Sequence, residues 1–157
     1  MSFYPAKIRA LVEFIGDLFH SGDGLKFLNV AKFTFDATGD ATLRTVAAHG
    51  VGVTLPIHAI VVGGFVDVNT AFTSAGSTAT VAISVEGAND IIAAAAVSGA
   101  PFSTINRKAI VPKANTPEST SVKCTAAREI TVTIAVQALT GGKMTGYLYY
   151  LPGVASA

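Results

Sequence analysis

The sequence predicts an all-β chain: an antiparallel β-sandwich, jelly-roll-like, with one short N-terminal amphipathic helix ahead of it. Three observations lead there. First, apolar and polar residues alternate in several separate runs, most plainly after Glu129. There Ile130, Val132, Ile134, Val136 and Ala138 interleave with Thr131, Thr133, Ala135 and Gln137. Period-two alternation marks strands with one buried and one wet face. Second, clusters of Gly, Asn, Asp and Ser punctuate these runs at short intervals, as turns do. Third, a helical period occurs once, ahead of residue 30.

In that first segment Ile8, Leu11, Val12, Ile15, Leu18 and Phe19 recur at steps of three and four, with Lys7, Arg9, Glu13 and Asp17 between them. This is an amphipathic helix pattern. Pro5 suits its first turn and Ser21-Gly22-Asp23-Gly24 ends it. Residues 1–30 therefore form a helical arm. It either packs back on the domain or docks on a neighbouring subunit.

The sandwich is expected over residues 31–152, with 153–157 as a short tail of small residues. Phe33 and Phe35 alternate with Lys32, Thr34 and Asp36, and Ala37–Asp40 turns the chain toward Leu43–His49. Leu55-Pro56 opens an apolar run, Ile57–Val62. Gly63-Gly64 interrupts it, which in a strand suggests a bulge or close backbone approach. Val66, Val68, Thr70 and Phe72 then share one face, opposite Asp67 and Asn69. Val81, Ile83 and Val85 mark the next strand, with Gly87–Asp90 as its exit.

Asp90–Val97 has helix-favouring alanines, yet lies between two turn clusters and reads as a buried strand. Residues 98–120 hold Pro101, Pro112 and Pro117 and read as a long irregular connection. After Glu129–Ala138, Thr140-Gly141-Gly142 supplies a turn and Lys143–Leu151 a last strand. The expected core comprises Val66, Val68, Phe72, Val81, Ile83, Val85, Ile130, Val132, Ile134 and Val136. About eight short strands at this spacing suit a jelly roll. An immunoglobulin-like sandwich is weakened by the absence of Trp and of a Cys pair.

At 157 residues the chain can bury a proper core. Half of it is apolar and 13% is charged, about half the usual charged share. So little charge covers a free surface poorly, and partners are expected to cover part of it. A formal net charge of +1 argues against a specific nucleic-acid binder. No apolar run is long enough for a membrane helix, and the first residues lack a signal peptide's apolar core. The chain reads as made in a reducing cytoplasm.

No motif carries enzyme chemistry, and no cofactor is implied. Cys124 stands alone, in phase with Val122, and reads as a small buried residue. His20, His49 and His58 have no metal-ligand spacing; His58 falls in an apolar, strand-like run. Asp36-Ala-Thr-Gly-Asp40 lacks the carboxylate density of a calcium loop and reads as a turn. Arg107, Lys108 and Lys113 form a basic cluster suited to a polar or salt-bridging surface.

Two stretches carry a resemblance. Leu55-Pro56 opens a run that ends in Thr70–Ser74. Thr125–Arg128 leads into the alternating run, followed by Ala138-Leu139-Thr140 and Gly142-Lys143. In these pieces, spread over Ala31–Leu151, the sequence resembles a group of small virion proteins of tailed bacteriophages. The resemblance implies a β-sandwich component of the phage particle, of the capsid cement (decoration) type outside the major capsid shell. It does not extend to the N-terminal helix.

The expected function is therefore that of a phage structural protein. It would bridge major capsid protein subunits, with the major capsid protein and other copies of itself, as dimer or trimer, for partners. The expected interface comprises Ile8, Leu11, Val12, Ile15, Leu18, Phe19, Arg107, Lys108 and Lys113, on the capsid surface of the virion. The alternative is a tail- or fibre-associated module that binds a host-surface carbohydrate or another tail protein. Sugar sites expose aromatic rings, and Tyr147, Tyr149 and Tyr150 are the one dense aromatic group. Alternation turns some of these inward.

Overall fold

The computed structural model describes residues 28–112 and 121–153. The expected helix with its apolar stripe, His20, Lys113 and residues 154–157 lie outside them. Within the described residues the chain is all-β. Its strands are β1 (Asn29–Asp36), β2 (Ala48–Leu55), β3 (Ile60–Ser74), β4 (Thr80–Ser84), β5 (Ile92–Ala96), β6 (Asn106–Ile110), β7 (Val122–Lys123), β8 (Arg128–Ala135) and β9 (Leu139–Leu151).

They form two antiparallel sheets. One runs β1-β9-β3-β6, with the short β7 also on β3; the other runs β2-β8-β4-β5. The pairs β1·β9, β2·β8, β3·β6 and β4·β5 are nested. The chain is a long double ribbon, its tip at β4–β5, wrapped so that successive rungs fall in alternate sheets. Buried side chains of both sheets make one continuous core, among them Phe33, Phe35, Val66, Ile83, Ile130, Met144 and Leu148.

Period-two phase explains the core. Val66, Val68, Phe72, Val81, Ile83, Val85, Ile130, Val132 and Ile134 are all buried, as the alternation predicts. Asp90–Val97 contains a strand, β5, but not the buried one expected: as the edge of its sheet it buries Ile92, while Ala93–Ala96 alternate between half-buried and exposed. The Gly63-Gly64 reading holds in both senses. The β3·β9 register slips between Val61 and Gly63, and a Cβ on Gly64 would run into the Tyr147 carbonyl oxygen. Gly146 has a different reason: its missing side chain makes room for the Phe33 ring.

Several boundaries differ from the sequence reading, each for a local reason. Val136, expected in the core, is 72% exposed. β8 ends at Ala135, and Val136 adopts φ 69°, with Gln137 N donating to Ala135 O at 2.9 Å. This three-residue γ-turn reverses the chain. The expected turn residues Thr140-Gly141-Gly142 instead lie inside β9. Thr70 is exposed because register shifts on both sides of it break the phase between Val68 and Phe72.

Further along, the run Ile57–Val62 divides: β2 ends at Leu55, and the β3 strand starts only at Ile60. His58, expected in an apolar strand, sits in the turn between them at φ 67°. Its N–H donates to Cys124 O at 2.9 Å. Ahead of β2, Leu43 belongs to a 3-10 helix, Ala41–Arg44, capped by the Asp40 side chain through Thr42 N. The long connection is less irregular than expected, since β6 forms within it.

Candidate partner interface

Three groupings of polar or aromatic side chains stand out, and each arises from strand register. The first lies on the outer face of the β1-β9-β3-β6 sheet. Met144, Gly146 and Leu148 of β9 point into the core, so Tyr147 and Tyr149 point out. Register sets Lys32 opposite Tyr147, Tyr147 opposite Phe65, and Asp67 opposite Arg107.

The Phe65 and Tyr147 rings stack with centroids 4.7 Å apart, and Tyr149 meets Phe65 edge-on at 6.2 Å. Lys32 Nζ lies 5.7 Å over Tyr147, and the Arg107 guanidinium 4.5 Å over Phe65. A row of cation, ring, ring and cation thus crosses all four strands. An aromatic pair contributes about 0.5–1.5 kcal/mol beyond its buried area, and an exposed cation–π contact about 0.5–1 kcal/mol.

Arg107 is fixed further by Asp67, with Nε donating to Oδ1 at 2.6 Å and Nη2 to Oδ2 at 3.0 Å. That hydrogen-bonded cation lowers the Asp67 pKa. Lys108, its sequence neighbour, points the other way. It borders an apolar groove between the edges of the two sheets, beside Ile91, Ile92 and Pro101. The expected basic cluster is therefore split. Arg107 salt-bridges within the chain, Lys108 flanks the groove, and Lys113 lies outside the described residues.

The second grouping joins Glu86 to Thr125 and Arg128. Arg128 donates from Nε at 2.8 Å and from Nη2 at 3.0 Å to the two Glu86 oxygens. Thr125 adds its N–H at 3.0 Å and its hydroxyl. These donors, Arg128 foremost and Thr125 next, hold the Glu86 pKa down at about 2. The Thr125–Arg128 sequence signature is thus a carboxylate clamp. Nearby, the buried Asp90 carboxylate closes its loop by accepting from the N–H groups of Val85, Glu86 and Gly87.

The third grouping joins the other signature pieces. Thr140 Oγ1 donates to Thr73 Oγ1 at 2.7 Å, and Ser74 pairs with Leu139 in register. Lys143 Nζ reaches Asp36 Oδ2 at 2.8 Å and, with the Gly39 N–H, lowers the Asp36 pKa. Of the residues that carried the resemblance, Thr73, Ser74, Leu139 and Thr140 hold the two longest strands together, and Lys143 ties β9 to β1.

None of these arrangements sets up a reaction. Cys124 is buried beneath Glu86 and Asp90, and burial foremost pushes its thiol up to about 11. His49 Nε2 lies 2.8 Å from Thr45 O. Among the described residues no three His, Cys, Asp or Glu side chains come together to hold a metal ion. Nor is any helix there long and apolar enough to cross a membrane. Sequence reasoning missed the Phe65–Tyr147 row. The signal was present in the inward phase of Met144 and Leu148, which obliges Tyr147 to face out.

No protein-family model and no curated protein matches this sequence. Solved structures do match, and three are phage capsids. A chain of the acidic stable capsid of Helicobacter pylori bacteriophage KHP30 is 17% identical, over 82% of this chain and 90% of that one, with a TM-score of 0.55. A chain of the cyanophage Pam1 capsid asymmetric unit is 22% identical over 80% and 85%, with a TM-score of 0.56. A chain of the Ralstonia phage GP4 capsid is 17% identical over 82% and 86%, also with a TM-score of 0.56. What this chain shares with these capsid chains is the fold, over about four-fifths of its length.

Proposed function

We propose that this chain is a jelly-roll structural protein of a phage capsid, and within that class a cement protein. The observation that carries the reading is the fold shared with three phage-capsid chains over 80–82% of this sequence. The strand orders β1-β9-β3-β6 and β2-β8-β4-β5 are those of a jelly roll. The role is non-catalytic. Copies assembled in the host cytoplasm bind the outside of the shell and bridge major capsid protein subunits and one another.

The mechanism is adhesion. Apolar area buried between subunits stabilises by about 25 cal/mol per Å². Many weak contacts at high local concentration then act through avidity. The contact elements are the Ile8, Leu11, Val12, Ile15, Leu18 and Phe19 stripe, together with Lys113 and with Lys108 at the groove side. Arg107, already held by Asp67 and Phe65, stiffens the sheet beside them.

The glycan-binding alternative rests on the outward rings. Two of these have their faces occupied: Phe65 and Tyr147 cover each other on one side, and Arg107 and Lys32 lie over the other sides. At Phe65 and Tyr147 a sugar ring would find edges rather than faces, which leaves Tyr149, at the row's end, as the one ring to stack on. Sedimentation with phage capsids lacking this protein tests the cement reading. We expect co-sedimentation in a fixed ratio to the major capsid protein and a rise in capsid resistance to heat. A protein that stays in the supernatant, or pellets only with tails, refutes it.

A further inference from the structure

The outer face of the β1-β9-β3-β6 sheet is divided along the strands. Toward Asp36 and Lys143 it is polar, with Thr34, Thr145, Asp67 and Asn69. Toward the other end it is apolar. Val30 lies opposite Tyr149, and Tyr149 opposite Gly63, with Val62 beside it in the bulge. Leu28 precedes β1 at this end, and Val111 follows the edge strand β6, where it also lines the groove beside Lys108. Leu28, Val30, Val62 and Val111 are 40–57% exposed, and they are four of the eight large apolar side chains exposed among the described residues. Such a concentration of open apolar surface marks a docking site.

The chain outside the described structure ends at this place. Residue 27 adjoins Leu28, at the margin of the apolar half. Phe19, the last residue of the apolar stripe, is nine residues before Leu28, a reach of at most about 30 Å. A helix over residues 8–19 would be about 18 Å long. Four strands at about 4.8 Å spacing give a sheet face of similar breadth. One apolar stripe and one apolar half-face of matching size therefore occur once in each copy. Exchange of stripes between two copies covers both faces at once and closes on itself, as an isologous contact does.

We propose that the apolar half of this outer face, around Val30, Tyr149, Val62 and Val111, receives the Ile8–Phe19 stripe of a second copy of the chain. The inference rests on the reading of the chain as a self-associating capsid component, and names the surface through which it self-associates.

Two full-length variants test it by complementation in sedimentation velocity. The face variant carries Val30→Asp and Val111→Asp, both at exposed positions outside the core. The stripe variant carries Leu11→Asp and Ile15→Asp. The wild type is expected to self-associate, and each variant alone to associate at least tenfold more weakly, with unchanged β circular dichroism. A 1:1 mixture should recover a mixed dimer, because one intact stripe then meets one intact face. A wild type that stays monomeric overturns the proposal. So does a face variant that associates like the wild type, or a mixture with no mixed dimer, which would place the stripe on its own chain. Capsid co-sedimentation of the wild type is scored separately. Its failure refutes the cement reading and leaves the self-association result standing, and the reverse also holds.

Discussion

Ile134 and Val136 occupy equivalent positions in the sequence pattern, yet the structure assigns them opposite roles. Ile134 is 1% exposed, paired with Val81 in register, and donates its N–H to Ala47 O at 2.9 Å. Ile134→Ala removes three carbons from the core. At about 0.8 kcal/mol per buried CH₂ the transfer loss is about 2.4 kcal/mol. The residual cavity raises the cost to about 3–4 kcal/mol, inside the range for such truncations. Val136 is 72% exposed and held at φ 69°. A β-branched residue in that region stores about 1–3 kcal/mol of strain. Val136→Gly relieves it, at a cost of about 0.5–1 kcal/mol in chain entropy. We expect a net gain of about 1 kcal/mol.

Urea unfolding of both variants, followed by fluorescence and circular dichroism, reads the two effects on one scale. The midpoint should fall for Ile134→Ala and rise for Val136→Gly, with m unchanged. A loss below about 0.5 kcal/mol for Ile134→Ala, the size of an ordinary surface effect, would show that β8 presents its other face to the core. A fall in stability for Val136→Gly would refute the strained turn and restore the unbroken alternation of the sequence.

Three other outcomes are expected. Gly64→Ala should cost at least about 2 kcal/mol, because Gly64 has φ 147° and its Cβ would meet the Tyr147 carbonyl oxygen; near-neutral behaviour in the same urea assay would rule out that close approach. Glu86 is held at about 2 against an ordinary 4.5, so its ionised form is favoured by folding; the stability it confers is complete above 4.5 and lost as pH falls from there through about 2. Glu86→Gln should flatten that part of the stability–pH curve, and an unchanged slope would mean that the Arg128 clamp does not operate in solution. Finally, Cys124, buried with its thiol pushed up to about 11, should resist thiol reagents until the protein unfolds; prompt labelling of the native protein would contradict its burial.

The fold was legible wherever one physical signal dominated. Period two placed Val81, Ile83, Ile130, Val132 and Ile134 in the core because a strand alternates faces whatever its partner. Paired glycines marked the β3 bulge because nothing else fits against the Tyr147 carbonyl. Legibility failed where tertiary contacts overrode local chemistry. Gly141-Gly142 has the composition of a turn, but Phe72 packs where a Gly142 side chain would stand, so those glycines serve strand pairing. Val136 has the composition of a strand, but Gln137 next to it accepts from Gly76 N–H at 2.8 Å and from the Thr78 hydroxyl. Those bonds fix the reversal one residue early and leave Val136 outside.

The candidate interface was less legible than the fold, and the reason is geometric. A catalytic or metal site leaves a trace in one or two segments, because chemistry demands particular residue types at particular spacings. A face on the outside of a sheet is assembled from register. Lys32, Tyr147, Phe65 and Arg107 come from four strands, and nothing in any one of them announces the others. Arg107 and Lys108 show the converse. Adjacent in sequence, they look like one basic patch, yet a strand sends neighbours to opposite faces. One then braces the outer sheet through Asp67 and Phe65, while the other flanks the groove between the sheets. The same rule shaped the resemblance. Its pieces, Thr70–Ser74, Thr125–Arg128 and Leu139–Lys143, read as scattered turn signatures. Folded, they form the Glu86 clamp and the β3·β9 seam. What this sequence shares with the capsid chains at 17–22% identity is the fold. The proposed docking side chains that project from that fold, Val30 and Val62 among them, are set by register too, and the complementation of face and stripe variants reads them directly.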